Sequence, residues 1–206
     1  MKILVIQQKR IGDVLTSTIL SNNLKQKYPN AQVDYMCYAN CVDVLKNNPN
    51  IDNIIVLEEK VRKNYLSLFQ FIFKIRSTKY DAVIDAYSKL ETNLITLFSG
   101  AKYKISYKKG YSNIFYNYNI ERLKNGTKSD IGLAIINRLR LLEPLIKEDI
   151  TDYISKNCIL PYLFDETKRN YPIGFNADAE LWQILKTSNA RYIYAAIFKN
   201  YSRYFI

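Results

Sequence analysis

Two cations, a residue without a side chain and a carboxylate stand within five positions of one another: Lys9, Arg10, Gly12 and Asp13. Lys9 and Arg10 can hold a phosphate or carboxylate of a substrate, and an ionised Asp13 can accept a proton from a hydroxyl. Gly12 lets a ligand approach the backbone closely. The plain alternatives are that Asp13 caps the N–H groups of a helix and that the cations project into water. A second carboxylate, Asp85, is followed by Ala86-Tyr87-Ser88-Lys89. Asp85 and Asp13 together suit a polyol substrate if they share a rim, and helix capping for the segment beginning near Lys89 is again the alternative.

The elements flanking these residues explain why they should meet. The run Ile3-Leu4-Val5-Ile6 is apolar and mostly β-branched, and it ends in a polar turn with one glycine, which reads as a buried parallel strand feeding a helix over residues 13–27. Further strands are expected at 33–37, 54–57, 82–85 and 103–106. Helices are expected at 42–46, 65–75, 90–98 and 131–142, the last ending at Pro144. On helix 65–75, Leu66, Phe69, Ile72 and Phe73 recur at helical spacing as its apolar face. This alternation predicts an α/β fold with a doubly wound, mostly parallel sheet, Rossmann-like in plan, over residues 1–150. Ligands bind such sheets outside the carboxyl ends of the strands, where Asp13 and Asp85 belong. Residues 151–206 form a less legible tail: Pro161 and Pro172 break it, a helix is expected around Trp182, and an aromatic, basic helix over 190–206 packs on the core or lies on a membrane surface.

Composition narrows the chemistry. The 206 residues contain no histidine, which removes Ser-His-Asp and Cys-His machinery and leaves carboxylates, Lys and Tyr as acid/base groups. One glycine after the first strand is not the three-glycine dinucleotide fingerprint, so no nicotinamide or flavin cofactor is expected. No Asp-x-Asp pair occurs, and a metal-independent site is expected. Cys37, Cys41 and Cys158 show no Cys-x-x-Cys spacing and read as small buried hydrophobes. The apolar start is too short for a signal peptide and no run is long enough to span a bilayer, so a cytoplasmic protein is expected. A net charge of +11 favours phosphate-rich partners, whether nucleic acid, anionic lipid or a phosphorylated glycan, and a solvated basic surface is the alternative. Between residues 102 and 128, Lys102, Lys104, Lys108, Lys109, Arg122, Lys124 and Lys128 interleave with Tyr103, Tyr107, Tyr111, Tyr116 and Tyr118. That pattern suits single-stranded nucleic acid or an anionic glycan, or a solvated loop.

Lys2-Ile3-Leu4-Val5-Ile6 with Arg10-Ile11-Gly12-Asp13-Val14-Leu15, then Asn48-Pro49-Asn50-Ile51-Asp52, Tyr80-Asp81-Ala82-Val83-Ile84-Asp85 and Ser99-Gly100-Ala101-Lys102, resembles the acceptor-binding half of family 9 glycosyltransferases, the lipopolysaccharide heptosyltransferases. The resemblance covers about residues 1–150. It implies the N-terminal half of a GT-B fold and inverting, metal-free transfer from an ADP-sugar to an anionic glycolipid acceptor, the lipopolysaccharide core. It makes Asp13 the general base and sets Lys9, Arg10, Gly12, Asp85 and Lys89 beside the acidic acceptor. Contact with the periphery of the inner membrane goes with such an acceptor. The family's second-domain signature, Asp-Thr-Gly followed by a histidine, is not found, so the chain is expected to be truncated, inactive alone, and to draw on a separately encoded donor domain. A non-catalytic basic module for anionic glycolipid or nucleic acid, using residues 102–128, is the competing reading, with nucleic acid the less favoured ligand.

Overall fold

The computed structural model describes residues 1–124, 133–157, 162–165 and 168–172. Six strands, β1 (Lys2–Ile6), β2 (Gln32–Cys37), β3 (Asn53–Val56), β4 (Ala82–Asp85), β5 (Tyr103–Tyr107) and β6 (Tyr118–Ile120), form one sheet in the order β3-β2-β1-β4-β5-β6. Every neighbouring pair is parallel. Strands paired in parallel need crossovers: helices α1 (Ile11–Lys27), α3 (Tyr65–Ser77) and α4 (Leu90–Phe98) supply three, and 3₁₀ segments at Ala39–Val44 and Ser112–Ile114 lie in the connections from β2 to β3 and from β5 to β6. The order runs outward from β1 in one direction and from β4 in the other. Those two strands pair directly, Ile6 beside Asp85, so the chain reverses its winding between them.

Strand alternation sorts the core into two layers. Ile3, Val5, Val33, Tyr35, Ala82 and Ile84 face α1, and Leu4, Ile6, Met36 and Val83 face α3 and α4. Helix α1 is buried at Gly12 and from Val14 through Leu24, polar residues included. Thr16, Thr18 and Asn23 return hydrogen bonds to carbonyls one turn back, which satisfies these three side chains in the interior. On the outer side of α1 lie α5 (Leu133–Arg140), α6 (Glu143–Ile146) and α7 (Ile150–Asn157). Ile150 and Tyr153 belong to the same core, with the Tyr153 hydroxyl 3.1 Å from Asn23 Oδ1, so this unit runs on past residue 150.

Several expectations need correction. Residues 39–44 form a 3₁₀ helix, where a short α-helix at 42–46 was expected. A short helix α2 (Glu59–Lys63) precedes α3, and β6 lies in the stretch that has no periodicity. Pro144 begins α6 and does not end α5, because proline lacks the N–H that the first helical turn leaves unused. On α3 the buried side is Leu68, Ile72 and Ile75, while Leu66, Phe69 and Phe73 are exposed. Strands β7 (Tyr162–Asp165) and β8 (Lys168–Pro172), not foreseen in this stretch, pair antiparallel, with Pro172 as the last residue of β8. The helices expected around Trp182 and over 190–206, and Cys158, Pro161 and Lys128, lie outside the described residues. No helix among the described residues is long and apolar enough to cross a membrane.

These two kinds of apolar position give a direct check. Ile84→Ala, at a fully buried site in the central strand, is expected to lower unfolding free energy by about 2–5 kcal/mol in urea titration. Phe73→Ala, on the exposed side of α3, is expected to change it by less than about 1 kcal/mol.

Candidate active-site crevice

The β1–α1 and β4–α4 connections face each other across the point where the winding reverses. Beyond β1 the chain keeps its ladder for two more residues: Gln7 N–H donates to Met36 O at 3.1 Å and Gln8 O accepts from Tyr38 N–H at 2.9 Å. Gln8 is wholly buried, and neither atom of its side-chain amide has a hydrogen-bond partner among the described residues. Arg10 then turns the chain with φ 65°, a conformation that costs a non-glycine residue on the order of 1 kcal/mol, and its carbonyl accepts the first helical bond from Val14. Lys9 and Arg10 are both exposed at this turn, and Gly12 is buried in the first turn of α1.

Asp13 lies in the first turn of α1, whose N-cap residue, Arg10, makes no side-chain capping bond, and no capping bond from Asp13 is seen among the described residues. Its Oδ1 accepts from Arg138 Nη2 at 2.9 Å, and Arg138 is held by Nε donation to Ser17 Oγ at 2.9 Å and Nη1 donation to Ala134 O at 3.1 Å. The guanidinium is 13% exposed and the carboxylate 38%. Oδ2 has no partner among the described residues, so one oxygen is anchored and the other is open at the rim. Arg138 comes from 125 positions downstream, and the only sequence trace of it is a cation among Ile135, Ile136 and Leu139 on the buried side of α5.

Asp85 reaches the same rim but its carboxylate turns inward and is wholly buried. Oδ1 accepts from Tyr87 N–H (2.9 Å) and Ser88 N–H (2.7 Å), and Oδ2 accepts from the Tyr116 hydroxyl (2.7 Å). Direct contact with a substrate is closed to it, and its work is to shape the 86–89 loop, in which Ser88 takes φ 52°. Burial raises its carboxyl pKa, opposed by the hydrogen bonds from Ser88, Thr92, Tyr116 and Tyr87. Lys89 is exposed and is the N-cap residue of α4, where its N–H donates to Thr92 Oγ1 at 3.0 Å.

Other side chains join this rim. Lys109, from the β5–β6 connection, donates to Ser88 O at 2.9 Å, and burial lowers its pKa. Tyr38 and Tyr87, each partly buried, meet edge to face with ring centroids 6.3 Å apart. Arg62 lies over the Tyr38 ring at 4.5 Å and donates to its hydroxyl, which in turn donates to Glu91. Burial pushes the Tyr38 hydroxyl pKa up, so that it remains a donor. Ring faces at the ends of β2 and β4 can cover the apolar face of a sugar while the nearby cations meet its acidic groups. None of Lys109, Tyr38 and Arg62 declares itself by spacing, because the topology alone makes them neighbours.

The basic, aromatic stretch is engaged locally. Lys102 sits over Tyr103, Tyr103 stacks on Tyr118, Arg122 lies 3.8 Å from the centre of Tyr107, and Lys108 pairs with Glu121. Lys104 donates to Leu97 O at 2.9 Å. Cys37 and Cys41 are buried free thiols, and burial pushes Cys37 up to about 12, so it is no nucleophile.

The Asp85 network is testable by substitution. Asp85→Ala orphans two N–H groups and a hydroxyl and is expected to cost about 3 kcal/mol, whereas Asp85→Asn keeps acceptor and partner and stays near wild type. A raised folded-state pKa means the native state holds its proton more tightly than the unfolded chain. Wild type therefore loses stability relative to Asp85→Asn as pH rises from about 4 toward the folded value, which urea titrations across that range would register.

No family profile matches the chain. Similarity to individual proteins is clear: it is 31% identical to lipopolysaccharide heptosyltransferase 3 of Escherichia coli (strain K12) over 152 residues, 70% of this chain and 41% of that protein. A family 9 glycosyltransferase from Veillonella parvula shares the fold with a TM-score of 0.60 at 23% identity, covering 72% of this chain and 42% of that one. The E. coli ADP-heptose lipopolysaccharide heptosyltransferase II gives 0.59 at 21%, covering 81% and 48%. The chain spans less than half the length of the curated relatives it matches. In sequence and in fold, this chain is a relative of the lipopolysaccharide heptosyltransferases of glycosyltransferase family 9.

Proposed function

We propose that the crevice between β1 and β4 is the acceptor side of an inverting glycosyl transfer from an ADP-sugar to a phosphorylated, acidic glycolipid of the lipopolysaccharide core type. Asp13 acts as general base. The observation that carries this reading is the Asp13–Arg138 pair: one carboxylate oxygen is tied to a guanidinium that is itself held at two further points, and the other is open at the rim. A base must be aimed as well as charged, and anchoring Oδ1 aims Oδ2 at the space between the two loops.

In this reaction Oδ2 takes the proton of an acceptor hydroxyl as that oxygen attacks the anomeric carbon from the face opposite the departing diphosphate. Exposed Lys9, Arg10 and Lys89 meet the acceptor's acidic groups, and Gly12 leaves room for its backbone approach. Tyr38 and Tyr87 give the sugar a ring surface. Asp85 contributes at one remove, by fixing the loop that carries Tyr87 and Lys89. The reading calls for no metal at this rim. The donor is met across the crevice by a second unit, one that the matched half does not supply and that a separate polypeptide can provide. A peripheral position at the cytoplasmic face of a membrane follows from the acceptor.

The test is transfer from ADP-heptose to lipopolysaccharide core, measured with the chain and a donor-side domain of a family 9 relative added in trans. Asp13→Asn is expected to lower kcat by about 10²–10⁴-fold with acceptor affinity retained within about threefold. Arg138→Met is expected to lower kcat by a smaller factor, since it leaves the base present but unaimed. Unchanged turnover in Asp13→Asn contradicts the assignment.

A further inference from the structure

Helix α3 is apolar on two sides, and only one of them is used. Leu68, Ile72 and Ile75 are buried against the sheet, while Tyr65, Leu66, Phe69 and Phe73 stand 77, 74, 50 and 66% exposed. With 3.6 residues per turn those four fall within an arc of roughly 100°. Helix α4 packs beside α3 and extends the patch with Leu90 and Phe98, 65 and 43% exposed. Arg76 ties the two helices together by donating to Phe98 O at 3.2 Å. A contiguous aromatic and aliphatic strip of this kind is rare on a surface meant only for water.

Charge indicates what covers it. From residue 58 to 77 there are five Lys or Arg against two Glu, and the chain carries +11 overall. Lys60, Arg62 and Lys63 stand at one end of the strip and Lys74 and Arg76 at the other, all exposed. Lys60 and Lys63 form only surface pairs, with Glu58 and Glu59. Large apolar side chains between two clusters of cations match a bilayer surface with acidic headgroups, where rings and leucines enter the headgroup boundary and cations stay at the phosphates. The orientation is also consistent with the crevice. The amino end of α3 follows β3, so Tyr65 and Leu66 lie toward the carboxyl end of the sheet, as does Leu90 at the start of α4.

We infer that the exposed face of α3, with Leu90 and Phe98 of α4, docks this protein on an anionic lipid surface, with Tyr65, Leu66, Phe69 and Phe73 entering the headgroup layer. The inference goes beyond the transfer reaction and does not require it. Its test uses flotation of the full chain with vesicles of phosphatidylglycerol and phosphatidylethanolamine, which hold no glycolipid acceptor, against vesicles of phosphatidylcholine alone. Wild type is expected to float with the anionic vesicles and not with the neutral ones. Leu66→Ser/Phe69→Ser/Phe73→Ser is expected to weaken that binding about tenfold or more, with an unchanged circular dichroism spectrum, and Phe69→Ser and Phe73→Ser singly to give graded losses. Equal flotation of the triple variant overturns the inference, and so does equal binding to neutral vesicles. It is overturned as well if wild type ignores vesicles and is a dimer that the triple substitution disperses, which makes the strip an interface between copies. A negative result leaves Asp13 as base untouched, and loss of that base leaves the flotation result standing.

Discussion

The parallel pairing of β1 with β4 is the constraint from which the rest follows. Ile6 lies beside Asp85 at the carboxyl ends of two strands that are 79 residues apart in sequence, and the winding of the sheet reverses there. Every crossover helix leaves that edge on one side or the other, so the two connections that follow these strands cannot cover the gap between them. The gap is therefore a crevice whose walls are residues 7–13 and 86–89. Chemistry placed there needs little further folding, only that each wall be rigid.

Each wall is made rigid by different means. On the β1 side a strained Arg10 backbone leads into a helix buried nearly all round, and Arg138 of α5 fixes the carboxylate of Asp13 from outside. On the β4 side a buried carboxylate, Asp85, gathers two N–H groups and the Tyr116 hydroxyl and so holds a loop with Ser88 in the left-handed region. Burying that carboxylate is costly, and the bonds it accepts offset part of the cost. Two aspartates on one rim, Asp13 in the first turn of α1 and Asp85 at the end of β4, thus divide the labour: one is anchored at one oxygen and open at the other, while the second is spent on structure.

The sheet was legible because its signals are local. Apolar runs such as Ile3–Leu4–Val5–Ile6 and Ala82–Val83–Ile84, separated by helical spacing, announce buried parallel strands, and five of the six were found within a residue or two. Strand β6 escaped because three residues, Tyr118–Ile120, hold no period. The apolar face of α3 was misassigned because the helix is apolar on two sides, and periodicity cannot tell which side meets the core. At the crevice, Lys9, Arg10, Gly12 and Asp13 are consecutive and could be read together. Arg138, Lys109, Tyr38 and Arg62 come from four other elements, so their role depends on distances that spacing does not encode. Asp85 was placed on the correct rim, yet nothing in its neighbours foretold that Tyr116, 31 positions on, would draw it inward.

The account stands or falls on where an acidic core oligosaccharide binds. Backbone amide shifts of the isotope-labelled chain, followed by NMR while phosphorylated lipopolysaccharide core oligosaccharide is added, read this directly. The account predicts that the largest shifts fall on residues 8–13 and 86–89, with Arg138 and Lys109 following at the same ligand concentration. Shifts confined to residues 102–124, with the β1–α1 and β4–α4 connections unmoved, would contradict it.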